Sequence, residues 1–157
     1  WLSDFALCQL KSLHESTGLT AWLFPATQAK KDQPDFADHV CVKTVTKQVG
    51  DRQRPGDVPM SGRSKDVDAL VLPGGKWTPH DLRRTAATTM AELGALPDVV
   101  EKCLNHTEVG KVKRIYQRAQ YEGPMRDAWK LLGSRLALLQ DMAEGRVTNV
   151  VPLQRGR

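Results

Sequence analysis

The stretch TPHDLRRTAATTM, residues 78–90, places an imidazole, a carboxylate and two guanidiniums in the first turn and a half of a helix. Thr78 can cap that helix, and Pro79 suits its first position, where a missing N–H costs nothing. Thr78 and Asp81 have the spacing of a capping box. His80 then stands at the second helical position, with Arg83 and Arg84 about one turn later on the neighbouring surface. Free backbone N–H groups and the positive end of the helix dipole favour an anion there. A guanidinium fork beside them matches the oxygens of a phosphate. Spacing alone does not choose between Arg83 and Arg84. The stretch reads as a phosphate site, which leaves open whether the phosphate is only held or also attacked.

The elements around this helix are read from periodicity and punctuation. Ser3 or Asp4 caps a first helix to about Glu15, with Leu7, Leu10, Leu13 and Phe5 or Ala6 on its apolar face and Gly18 as its stop. LTAWLFPA is a short extended piece ending at Pro25, and TQAKKDQPD is loop. A second helix is expected from about Phe36 to Val49, with Val40, Thr44 and Val45 inward. Residues 50–66 are polar and rich in Gly and Pro, and read as a mobile loop. ALVLPGGKW predicts a small hairpin about Gly74 and Gly75. The phosphate-site helix runs from Pro79 to Leu93, burying Leu82, Ala86, Met90 and Leu93, and Gly94 ends it. A short helix begins at Pro97, and His106 sits just past its end. A further helix carries Val109, Val112, Tyr116 and Ala119 on one face. Pro124 opens a long last helix with Met125, Ala128, Trp129, Leu132, Leu136 and Leu139 at helical spacing. RVTNVVPLQRGR is a loose basic tail.

Taken singly, the candidate residues are ordinary. His80 starts a helix, His106 can cap carbonyls at a helix end, and Tyr116 is a core tyrosine with its hydroxyl at the edge. Their order is not ordinary. HDLRRTAATTMAELG, then VVEKCLNH, then RIYQRAQY resembles the catalytic domain of phage-type integrases, the tyrosine recombinase family. The resemblance covers roughly residues 1 to 140 and is strongest from Trp77 to Tyr121. It implies a mainly α integrase-type catalytic domain of the DNA breaking-rejoining fold, with at most a small β element near Leu70 to Trp77. Residues 1–145 are then a partial catalytic domain and 146–157 a basic C-terminal tail.

The resemblance makes Tyr116 the nucleophile, selects Arg83 with His80 as phosphate ligands, and makes His106 a further donor to the phosphate. The chemistry suits these residue types. Arg83 and the imidazoles can offset charge growing on the non-bridging oxygens. A phenol has a pKa of about 10 and must lose its proton as it attacks, which a cationic site favours. The product is a covalent phosphotyrosine that keeps the energy of the broken bond, so rejoining needs no ATP. The arginines stand where other enzymes use a metal, and no cofactor is expected. Arg84 becomes a backbone-phosphate or internal contact. Lys111, Lys113, Arg114 and Arg118, around Tyr116, form either a solvated face or a basic edge that tracks DNA. Family members also carry an earlier arginine and a β-hairpin lysine, the usual acid for the leaving oxygen. Both normally precede a segment like the one that opens this chain. The expectation is therefore an incomplete enzyme, weak in DNA binding and inefficient in cleavage by itself; no motif makes Lys76 a substitute.

The bulk numbers agree with this reading without demanding it. The chain has 157 residues, 40% hydrophobic and 26% charged, with a net charge of +5, which is compatible with a nucleic-acid partner. Cys8, Cys41 and Cys103 are odd in number and widely spaced, which points to reduced thiols in a cytoplasmic protein. No apolar run approaches membrane-spanning length. The expected partners are double-stranded DNA attachment sites and other recombinase protomers, in integration or excision of a mobile element. The competing readings are a type IB topoisomerase-like enzyme, a catalytically silent helical DNA-binding module, and a purely structural helical protein.

Overall fold

Capping residues bound the first helix. In the computed structural model, which describes residues 1–18, 20–26, 39–54, 63–64, 66–106 and 121–146, α1 spans Asp4–Thr17. The Ala6 N–H donates to Ser3 Oγ at 3.3 Å, so Ser3 is the cap. At Gly18 a Cβ would stand 2.7 Å from the His14 carbonyl oxygen, which is why glycine ends the helix. The remaining described helices are α2 (Lys43–Asp51), α3 (Pro79–Glu92), α4 (Pro97–Cys103) and α5 (Glu122–Ala143). Only two isolated β-bridges occur among the described residues, Pro25 with His39 and Leu72 with Gly75. The chain is mainly α, as its motifs imply. No described helix is long and apolar enough to cross a membrane.

The described chain forms two compact units, Trp1–Leu10 with Ala86–Arg157, and Lys11–Thr85, so α1 and α3 each contribute residues to both. The first has an apolar core of Met90, Val99, Val100, Leu104, Ala128 and Leu132, with Ala86, Ala87, Met125 and Trp129 packed against it. The expected stripe of α3 is corrected here: Leu82 and Leu93 are exposed, and the core begins one turn later, at Ala86. α5 begins at Glu122, two residues before Pro124, which falls in the first turn where a missing N–H is harmless. Its stripe is buried only in part, because Leu136 and Leu139 remain exposed. The short α4 cannot cover that face by itself. The seven residues of α4 rise roughly 10 Å, against roughly 33 Å for the 22 of α5, so α4 covers only part of that face. Near its middle, Gly133 lets the chain at Ser3 approach α5; a Cβ there would lie 2.4 Å from Ser3 Oγ. Leu7 of α1 is exposed, contrary to its expected place on the apolar face.

The second unit is held by polar groups. α2 starts at Lys43, later than the expected Phe36, which itself lies outside the described residues. Its β-branched valines and threonines favour the helix weakly, and Val45 is exposed. The expected mobile loop over 50–66 is overturned at its start. Asp51 still belongs to α2 and is fully buried, and Gln53 is buried beside it. Arg63 clasps Asp51 through its guanidinium, with Nε 2.7 and 2.9 Å from the two carboxylate oxygens, and the Ser64 N–H adds a 3.4 Å bond. The predicted hairpin shrinks to one turn, in which Gly75 N–H donates to Leu72 O at 2.9 Å and Gly75 takes a φ of +94°.

The hydrogen bond from Arg63 lowers the Asp51 pKa from 3.8 to about 2. A depressed carboxyl contributes stability that is complete above its unfolded pKa and is lost as pH falls through its folded one. Thermal melts between pH 5 and pH 2 should therefore show acid destabilisation, steepest from about pH 4 down to about 2. Asp51→Asn should lower the melting temperature at neutral pH and flatten that acid limb. An unchanged acid limb in Asp51→Asn would show that other carboxyls drive it.

Candidate active site

Gln53 sets the entry to α3. Its side-chain Nε2 donates to the Trp77 carbonyl at 2.8 Å, and its Oε1 accepts from the Trp77 N–H at 2.8 Å. The amide thus pairs both backbone groups of Trp77, as a neighbouring strand would. The Trp77 indole N–H reaches Leu70 O at 2.9 Å and fixes the ring. Leaving such buried groups unmet would cost about 1–3 kcal/mol each. The next residue, Thr78, leads directly into α3.

At the helix start, Asp81 reaches back. Its Oδ2 accepts from the Thr78 N–H at 3.0 Å and from the Thr78 hydroxyl at 2.8 Å. This is the carboxylate half of a capping box; the hydroxyl donates to the carboxylate, and no backbone N–H among the described residues donates to it. The Thr78 hydroxyl, then its N–H, and then Arg84 hold the Asp81 pKa below its ordinary value. Arg84 Nη1 lies 3.3 Å from Asp81 Oδ1. The carboxylate thereby draws Arg84 back along the helix and offsets part of the positive end of α3.

His80 and Arg83 are both exposed, and among the described residues neither makes a hydrogen bond or ion pair. Three residues apart on a helix, they are surface neighbours. Arg84 thus has Asp81 beside it, whereas Arg83 has no partner among the described residues.

His106 belongs to the other unit, and its backbone is fixed by the way α4 ends. Asn105 takes φ +53°, its N–H donates to Lys102 O at 2.9 Å, and the His106 N–H donates to Glu101 O at 3.1 Å. These two bonds make a Schellman motif, with Asn at the left-handed position. α3 ends the same way at Gly94, with φ +93°. The His106 ring is held as well, with Nδ1 2.6 Å from Glu101 Oε2. That leaves Nε2 as the outward nitrogen.

Of the other candidates, Tyr116, Lys111, Lys113, Arg114 and Arg118 lie outside the described residues. Tyr121 is described. It packs against the apolar core and precedes α5 in a left-handed conformation, φ +53°. Sequence reasoning missed Gln53, Asp51 and Glu101. For Glu101 a signal existed, since an Asn just past a helix end predicts the turn that brings residue 106 back over residue 101.

The model of the phage integrase family matches residues 12–123, which include His80, Arg83, His106 and Tyr116. This chain belongs to the phage integrase family. A curated relative, the prophage integrase IntA of Escherichia coli (strain K12), is 29% identical over 131 residues. That alignment takes in 82% of this chain and 26% of IntA, so the integrase chain spans about a quarter of its relative's length. No solved structure matches it. Within the integrase family match, the exposed start of α3 and the Schellman turn after α4 are the two described places that carry candidate site residues.

Proposed function

We propose that this chain is the phosphate-holding and nucleophile-bearing part of a tyrosine-type DNA strand transferase, a site-specific recombinase. The carrying observation is that His80 and Arg83 stand open on α3 while Arg84 is engaged by Asp81. A guanidinium with no partner among the described residues is available to a phosphate; one beside a carboxylate is less so. Tyr116 and His106 follow within the same family match.

In this reading the Tyr116 oxygen attacks the scissile phosphorus. The bond from phosphorus to the 5′ oxygen breaks, and a phosphotyrosyl bond to the 3′ strand forms. The phenolic proton leaves, and a proton reaches the departing 5′ oxygen. Arg83, His80 and His106 stabilise charge on the non-bridging oxygens as it builds. Reversal by a 5′ hydroxyl rejoins DNA without ATP. Residues 1–145 form a partial catalytic domain and 146–157 a basic tail. The full-length protein acts in the cytoplasm on attachment sites, with other protomers, in integration or excision of a mobile element. The 157-residue chain alone binds DNA weakly and in a salt-sensitive way, and cleaves it inefficiently.

The test is a nicked suicide substrate offered to the full-length protein. A covalent protein–DNA adduct that survives denaturation, with the DNA attached at Tyr116, is the expected result. Salt-sensitive binding with no adduct would overturn the proposal in favour of a catalytically silent DNA-binding module. Relaxation of supercoils without sequence preference would point to a topoisomerase-like enzyme.

A further inference from the structure

We infer that Glu101 is a positioning residue for His106, and that it confines the proton traffic of that imidazole to Nε2. The inference rests on the strand-transferase reading above. Two independent holds meet at this histidine. The Schellman bonds at Asn105 and His106 place its backbone over the last turn of α4. The 2.6 Å contact from Nδ1 to Glu101 Oε2 then sets the ring. A carboxylate only accepts, so Nδ1 carries the proton in that bond. Nε2 is the nitrogen left to face a ligand. A histidine whose second nitrogen is pinned by a carboxylate has one tautomer and one orientation, the arrangement that sharpens histidines in metal sites and catalytic triads.

The pair is not there for stability. Both side chains are about half exposed, 45% for His106 and 54% for Glu101. Exposed ion pairs contribute little to folding. Orientation is a different quantity. A ring free to turn about its side-chain torsions presents Nε2 to a phosphate oxygen only part of the time, whereas the pinned ring presents it throughout; with Nδ1–H held by Glu101, it is the imidazolium, protonated on both nitrogens, that donates from Nε2 to that oxygen. Glu101 touches neither substrate nor reacting atom in this arrangement; it acts through His106.

Two measurements test the inference. The first is nitrogen-15 NMR of the imidazole in the 157-residue chain, which reports the nitrogen that carries the proton. Neutral His106 should be protonated at Nδ1 in the wild type, and Glu101→Ala should lose that preference with little change in melting temperature. The second is single-turnover cleavage by the full-length protein. Glu101→Ala should slow adduct formation about 10-fold, by analogy with the low end of the loss when the carboxylate partner of a metal-ligating histidine is removed. DNA affinity should hardly change. Glu101→Gln keeps an acceptor oxygen and should recover part of the rate. The double variant Glu101→Ala/His106→Ala should be no slower than His106→Ala, because both act through one ring. Wild-type cleavage by Glu101→Ala, losses that add in full, or an unchanged tautomer would each overturn the inference. Absence of any adduct from the wild-type protein would instead overturn the strand-transferase reading, and the NMR result would still decide whether Glu101 sets the ring.

Discussion

Tyr116→Phe in the full-length protein is expected to abolish covalent attachment to DNA while leaving binding nearly unchanged. Only the attacking oxygen is lost, and the aromatic ring is kept. The contrast is Tyr121→Phe, since the chain holds two tyrosines. Tyr121 is packed against the cluster around Val99 and Ala128 and precedes α5 in a left-handed conformation. That packing uses the ring and not the hydroxyl as a nucleophile, so Tyr121→Phe is expected to keep the adduct. A denaturing gel of protein trapped on a nicked substrate reads both outcomes. If Tyr121→Phe lost the adduct and Tyr116→Phe kept it, the nucleophile would move five residues downstream.

Arg83→Ala should slow cleavage by about 10²-fold or more, the usual consequence of removing a charged partner of developing oxyanion charge. Affinity should fall only slightly, because one phosphate contact is a small part of the electrostatic total. Loss of rate with little loss of binding is the pattern of a group that acts mainly in the transition state. Arg84→Ala should be far milder in rate, because the Arg84 side chain is drawn toward Asp81. Single-turnover rates beside binding isotherms at several salt concentrations separate the two arginines. If Arg84→Ala gave the large rate loss and Arg83→Ala the small one, the assignment of the phosphate ligand would be reversed.

What could be read from sequence was local. The start of α3 at Pro79 and its end before Gly94 follow from residues within four positions of each boundary, and so do the start of α4 at Pro97 and the place of His106 past its end. The family motif added the order of the candidate site residues, and the family match spans all four of those positions. The burial of Asp51 was not legible. Its partner Arg63 lies twelve residues on, across a stretch whose glycines and prolines read as loop. Gln53 was hidden for the same reason, since its partner Trp77 is twenty-four residues away. Leu136 and Leu139 show a different limit. Periodicity identifies the face of a helix, but the length of the partner that covers it lies elsewhere in the chain. Spacing left Arg83 and Arg84 equal; the family motif favours Arg83, and the contact of Arg84 with Asp81 is one that spacing allows without requiring.

The Gln53–Trp77 pairing also governs how α3 is held. Closing a loop of that length carries a chain-entropy cost of about 3 kcal/mol beyond the constant term. The contacts that cap α3, at Thr78, Asp81 and Gly94, are each a few residues long. The direction from which the chain enters that helix is settled only when Gln53 and Trp77 meet. The bearing of His80 and Arg83 within their unit therefore depends on a contact that closes a loop of twenty-four residues, and not on the helix that carries them alone.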